Sequence, residues 1–274
     1  MILFTGKGTS GSWQIRGVQI AHAMRVRAVP MAWDAECRAA DVIVAVKRIP
    51  DDLLLRIRRS GRPWIWDCVD AYPQRPHQSV TRDDAIRWMR AELERLRPDG
   101  VIWPNREMRS DAGFGHVIPH HHWPGLSPQR LRDRIEVIGY EGSPRYIEAW
   151  MPHIERECRR IGARFQPSLP GADVVLALRG PEWSSFWCRN WKSGVKLANA
   201  HGAGVPFIGA MEPGYLEIAT GVERWADTPD ALSLALDSLA SVDVRRQVRG
   251  EFLSAALPVD AVVPMYREVI SAVR

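Results

Sequence analysis

The residues best able to do chemistry in this chain sit in a few short stretches. Gly6, Gly8 and Gly11 spell G-x-G-x-x-G within Phe4-Thr5-Gly6-Lys7-Gly8-Thr9-Ser10-Gly11-Ser12. Glycines let a backbone approach a ligand closely. The same spacing, with Asp34 about twenty residues on as a ribose ligand, formally fits the dinucleotide fingerprint of NAD(P)-dependent oxidoreductases. The next residues, Trp13, Gln14 and Arg16, are not the small or aliphatic ones that pack a helix on a sheet; they suit a loop reaching toward a substrate. Lys192 and Lys196 lie four apart, so a helix would put both on one face, either solvated or facing an anion. Lys192-Ser193 has no glycine before it and is not a Walker A loop. Trp183, Trp187 and Trp191 repeat at a spacing of four, a pattern that usually belongs to a core or an interdomain wall. His120, His121 and His122 are consecutive, so at most one or two can face one point; an imidazole near its natural pKa can act as acid or base. Together with His116 they lack the helical spacing and carboxylate partner of a zinc site, so no metal is expected.

These residues need elements to hold them. Met1–Thr5 reads as a buried first strand, followed by a helix from Ser12 to about Met24. Val26–Met31 is a weaker strand, since Pro30 cannot donate to a ladder. The apolar run 41–46 is a third strand. Residues 51–60 form a helix with acid at its start and base at its end, as the helix dipole prefers. Residues 63–70 form a fourth strand that delivers Asp70 to a loop, while Asp67, earlier in that strand, reads as buried. Thr81 to Leu96 is a long amphipathic helix, and the stretches around 100–105 and 115–120 read as strand ends. A second alternation then begins: a strand at 134–140, a helix starting at Ser143-Pro144 and running to about Ile161, and a strand at 172–179 ending in Arg179. A helix over 194–204, a strand at 205–210 and a short strand at 222–227 follow, then a helix from Thr228-Pro229 and a helical end from about Val242. Serine or threonine before proline is a good helix opening. Repeated βα units predict an α/β protein with a parallel sheet in each half. Residues 123–134 are the natural linker, giving domains of 1–130 and 131–274.

The chain has 274 residues, 46% hydrophobic and 25% charged, with a net charge of +5. Residues 1–134 hold 22 Lys+Arg against 15 Asp+Glu, whereas residues 135–274 hold 15 against 17. The basic half would attract an acidic partner such as nucleic acid or a phosphorylated acceptor, or else display solvated arginines on helix faces. No apolar run is long enough to span a membrane, and the N-terminus lacks a signal-peptide layout. Cys37, Cys68, Cys158 and Cys188 are scattered and read as reduced thiols of a cytoplasmic protein.

Three stretches resemble the GT-B glycosyltransferases, in particular the large retaining family (family 4, group 1) that includes sucrose and mannosyl transferases. They are the opening Phe4–Ala21, the strand and turn Ile138–Tyr146, and Asn190–Gly209, which runs through a basic residue and a helix into Gly-x-Pro and a strand. The resemblance implies two Rossmann-like parallel-sheet domains facing a cleft, with a terminal helix that could pack back on the first. It also implies metal-independent sugar transfer from a nucleotide-sugar co-substrate, with no permanently bound cofactor. The acceptor is unidentified; a polyanion such as DNA carrying a modified base is one candidate. The implied donor-binding residues are Gly142, Ser143, Arg179, Lys192, Ser193, Lys196, Asn199, Tyr215 and Glu217. Lys196 would also assist departure of the diphosphate, and Tyr215 and Glu217 would reach the nucleoside unless they form a surface turn. Asp70 and His120 would come from across the cleft as proton acceptor or charge stabiliser. Gly11, Ser12 and Arg16 would lie near the acceptor or the donor phosphate. Where the family carries two glutamates, this chain has Trp191 and Asn199. An oxidoreductase, or a non-catalytic nucleotide-binding protein on the same scaffold, are the competing expectations.

Overall fold

The computed structural model describes every residue from Met1 to Arg274. Runs of buried apolar residues become strands because a parallel sheet is covered on both faces. In the first half these are β1 (Ile2–Gly6), β2 (Arg27–Pro30), β3 (Val42–Val46), β4 (Trp64–Asp67), β5 (Gly100–Trp103) and β6 (His116–Val117). They pair in parallel in the order β2-β1-β3-β4-β5-β6. Pro30 is accommodated at the end of the edge strand β2, where a missing N–H costs least. The second half contributes β7 (Val137–Tyr140), β8 (Arg164–Gln166), β9 (Val174–Ala177), β10 (Phe207–Gly209) and β11 (Arg224–Trp225). They form a second parallel sheet, β11-β10-β9-β7-β8. Residues 118–136, between the sheets, contain no helix or strand.

Local chemistry explains several helix ends. Thr81 caps the helix Arg82–Leu96, accepting from Asp84 N, and Thr228 caps Pro229–Ser238, accepting from Ala231 N. Ser143 caps nothing: Pro144–Tyr146 and Glu148–Trp150 are single 3₁₀ turns, and the α-helix begins only at Met151. The Tyr146 carbonyl is taken by the amide of Gly180 at 2.9 Å, which ties this segment to the neighbouring loop instead of to a helix. The stretch after the glycine loop also departs from expectation. Trp13–Gln19 is a π-helix that tightens to an α-helix at Ile20–Met24. A side chain at Gly17 would meet the Trp13 ring at 2.5 Å, so the wide turn wraps the indole over a glycine.

Each sheet has its own core, but the chain crosses between them twice. The last helix, Val259–Ala272, returns to the first sheet, where Val262, Tyr266, Val269 and Ile270 pack with Phe4, Val44 and Ile102. Trp183, Trp187, Cys188 and Trp191 pack into the first domain's core with Trp66 and Trp103. The tryptophans do not form one helical stripe: Trp183 ends a 3₁₀ turn, Trp187 lies in the short helix Phe186–Asn190, and Trp191 follows it. All four cysteines are buried and unpaired, and no helix is long and apolar enough to cross a membrane.

Candidate functional site

In a parallel sheet a ligand crevice opens at the carboxyl ends of the strands, where consecutive connections leave in opposite directions. In the second sheet this point lies between β7 and β9. The loop after β7 brings Glu141, Gly142 and Ser143 to it, the loop after β9 brings Arg179, and the first turn of the helix Val195–Ala203 brings Lys196. Gly142 has φ +144°, a conformation reserved for glycine, and a Cβ there would lie 3.2 Å from Lys196 Nζ. Lys196 Nζ stands 4.3 Å from the centre of the Tyr140 ring, a cation–π contact. It forms no ion pair, and its pKa is pushed down to about 7, by burial first and by Arg179 second, against the pull of Glu212 and Glu141.

The neighbouring charges are paired. Arg179 donates through Nε and Nη2 to Glu212 at 2.6 and 3.2 Å, both residues being buried. Asn199 Nδ2 lies 2.8 and 2.9 Å from the two oxygens of Glu141, and its Oδ1 accepts from the backbone of Trp123 at 2.7 Å. Burial raises the Glu141 carboxyl above its ordinary pKa, with Asn199 and Lys196 opposing. Lys196 is thus a cation at this edge with no counter-charge of its own.

Across the cleft, Asp70 joins the two halves. Its carboxylate accepts from Lys192 Nζ at 2.7 Å and meets Lys47 Nζ at 2.5 Å. Lys192 also donates to Gln74, and Lys47 to Ser12 Oγ at 3.1 Å. Burial works against the Asp70 charge, but Lys192 and then Lys47 outweigh it and hold the carboxyl well below its usual range. Such a carboxylate is a weak base and a firm anchor. His120 is 3% exposed, and neither ring nitrogen has a partner. Burial, with Arg16 and His121 adding to it, keeps His120 neutral, well below the ordinary histidine pKa.

The remaining sequence-derived residues divide sharply. Arg16 does not face a phosphate: it is fully buried, donating to Asp67 at 3.0 Å and to the carbonyls of Ile118 and Pro119. Lys192 does not share a helix face with Lys196, because it precedes the helix and is held by Asp70. Ser193 is buried just before that helix. Tyr215, expected near the nucleoside, is a core residue, 2% exposed and packed 5.1 Å from the Phe207 ring. Glu217 accepts from the amide of Arg106 and so faces the first domain. Gly11 has nothing near its missing side chain. It therefore lacks the helix-packing contact that the third glycine of a dinucleotide fingerprint makes. His121 pairs with Gln19 at 2.8 Å, and its pKa falls to about 3 through burial. No group of three His, Cys, Asp or Glu side chains is arranged to hold a metal.

Three site residues were not foreseen. Lys47 and Glu212 each stand just past the end of a strand, a position that marks the ligand edge of a parallel sheet. Glu141 was visible only as one acid beside Gly142; its bond to Asn199 spans 58 residues.

No protein-family pattern matches the sequence, and no curated protein matches it. Solved structures do. The Anabaena protein Alr3699/HepE, in complex with UDP and glucose, superposes with a TM-score of 0.65 at 11% identity over 99% of this chain and 100% of that one. AviGT4, a glycosyltransferase involved in avilamycin A biosynthesis, gives 0.60 at 14% identity over 99% and 97%. MurG of Acinetobacter baumannii gives 0.54 at 11% identity over 98% of each chain. The shared architecture is the GT-B fold: two parallel-sheet, Rossmann-like domains, both present in this chain.

Proposed function

We propose that this protein is a glycosyltransferase that moves a sugar from a nucleotide-sugar donor to an acceptor bound against the first domain. The observation carrying this reading is Lys196, a cation without a partner, held over Tyr140 where the second sheet's connections diverge. Negative charge builds on the departing diphosphate as the sugar leaves, and a preorganised cation stabilises it at that moment. Gly142 lets the backbone come close, and Ser143 follows it at the same loop. Arg179, held by Glu212 through Nε and Nη2 at the end of the adjacent strand, keeps Nη1 outside that pair as a donor. HepE, similar over its whole length, holds UDP and glucose, which supports a uridine donor.

Asp70 holds Lys192 and Lys47 at the interdomain boundary as a charge stabiliser. His120, neutral and unpartnered, is sealed from solvent, and it would offer its ring nitrogens to an acceptor hydroxyl only once the loop around it moved aside. In this reading the nucleotide-sugar is a co-substrate.

A thermal-shift series with UDP, GDP, ADP, NAD and NADP tests the donor class, since a ligand bound only by the folded state stabilises it. A nucleoside diphosphate is expected to stabilise and the dinucleotides to have no effect. Lys196→Ala is expected to lower sugar transfer by about 10²- to 10³-fold, the size seen when a charge-stabilising donor is removed, with the fold intact by circular dichroism. Full activity in that variant would remove the proposal.

A further inference from the structure

The first sheet has the same divergence as the second, between β1 and β3. The residues just past those two strands enclose a pocket of about 240 Å³, lined by Lys7, Thr9, Ser10, Trp13, Lys47 and Arg48 together with Val46. The lining holds three cations, two hydroxyls and no carboxylate. Lys7 has no ion pair. Arg48 donates only to the Tyr72 carbonyl, at 2.7 Å. Lys47 meets Asp70, but Asp70 is shared with Lys192, so a single carboxylate is divided between two cations. Lys47 itself has φ +60°, a left-handed backbone that a side chain rarely adopts and that tends to be retained at functional sites. The π-helix that starts at Trp13 forms one wall, and such wide turns are frequent at functional sites.

We propose that this pocket seats a phosphate monoester, or a chemically equivalent anion, carried by the molecule that accepts the sugar. The proposal rests on the donor lying at the opposite sheet edge, which leaves this edge to the acceptor. The volume fits a phosphate and part of a sugar ring, not a groove for a duplex. The Trp13 indole and Val46 supply an apolar wall, Thr9 and Ser10 supply hydroxyls, and Lys7 and Arg48 close on the anion from the rim. Lys47 orients it through its links to Ser12 and Asp70.

The test is a titration of inorganic phosphate, and of glucose 6-phosphate against glucose, onto protein already saturated with UDP. Binding is followed by calorimetry at constant ionic strength. Phosphate and glucose 6-phosphate are expected to bind and glucose not. The double substitution Lys7→Ala with Arg48→Ala should weaken both anions by about tenfold or more, since charge-assisted hydrogen bonds are the strong ones, while UDP binding is unchanged. Lys196→Ala should do the reverse. No binding of either anion, or binding indifferent to Lys7 and Arg48, overturns the proposal. Displacement of phosphate by micromolar duplex DNA overturns it in favour of a nucleic-acid surface. Loss of UDP binding alone, with the anion response still dependent on Lys7 and Arg48, refutes the donor assignment and not this one.

Discussion

Lys196 shows how a single side chain can be costly to the fold and useful to the reaction. Its neighbours include Arg179, and burial disfavours its charge, so its pKa sits at about 7 in the folded protein against about 10.4 in the unfolded chain. The folded state therefore binds this proton less tightly than the unfolded state. The stability penalty is fully present below pH 7 and fades as the pH rises from about 7 toward the unfolded value. Lys196→Met is expected to raise the melting temperature at pH 6 and to raise it progressively less toward pH 10, as measured by calorimetric scans. Donor binding should run the other way. The phosphates of a nucleotide-sugar remain ionised throughout, so its affinity should fall as the pH rises through 7 and Lys196 loses its proton. Lys196→Arg, whose guanidinium stays charged, should flatten that profile; an unchanged slope in calorimetric titrations of UDP-glucose from pH 6 to 9 would separate Lys196 from the diphosphate. The spacing of Lys192 and Lys196 made a shared face readable from sequence, but only one of the two is free. The partner that removes Lys192, Asp70, is 122 residues away, and nothing local announces it. The same holds for Arg16, whose carboxylate Asp67 is 51 residues distant.

The segment from Pro181 to Lys192 follows a strand of the second sheet but belongs by its contacts to the first domain. His77 N donates to Glu182 O at 2.7 Å, Phe186 N to Val80 O at 3.0 Å and Ala71 N to Trp191 O at 3.1 Å. Trp191 Nε1 donates to Asp111 at 3.0 Å. Asn105 does two jobs here. Its Oδ1 caps the helix Arg106–Ala112 by accepting from Met108 N, and its Nδ2 reaches the carbonyls of Asn190 and Lys192 at 2.7 and 2.8 Å. Asn105→Ala removes a cap and leaves two partly buried carbonyls without donors, an expected loss of about 2–4 kcal/mol. Asn105→Asp keeps the cap but sets a charged oxygen against those carbonyls. If the link to the second half matters, both variants lose stability in urea unfolding; if only the cap matters, Asp at 105 is harmless. Strands were the elements most legible in the sequence, because Val42–Val46 and Val174–Ala177 are buried on both faces and read as unbroken apolar runs. The helix expected from Ser143 was misread because a serine-proline opening is a local signal. The Tyr146 carbonyl that breaks it is claimed by Gly180, 34 positions away. The short helices Asp34–Ala39 and Arg106–Ala112 carry too few turns to show a period.

Two parallel sheets with separate cores would ordinarily unfold as two units, yet here the second half of the chain completes the first domain. The first sheet is covered on one side by Val262, Tyr266, Val269 and Ile270 from the chain's last helix, and Tyr266 donates to the buried Asp67 that already holds Arg16. On its other side Trp183, Trp187 and Trp191 join the cluster that the domain's own helices build, with the Trp187 and Trp191 rings 6.0 and 6.3 Å from Trp88 of the helix Arg82–Leu96. An isolated fragment of residues 1–134 would lose both, exposing apolar surface on each side of the domain. A buried Arg16–Asp67 pair stripped of its cover would gain little from its Coulomb attraction once water reaches it. The fragment is expected to be aggregated, or compact without fixed packing, and to lose the near-ultraviolet circular dichroism of its tryptophans. The full chain, despite its size, is expected to unfold in one transition, with tryptophan fluorescence and far-ultraviolet circular dichroism giving coincident midpoints in urea. Two separated midpoints would mean that the crossing segments ride on the first domain without stabilising it. Lys192 would then be free to leave Asp70 when the cleft fills.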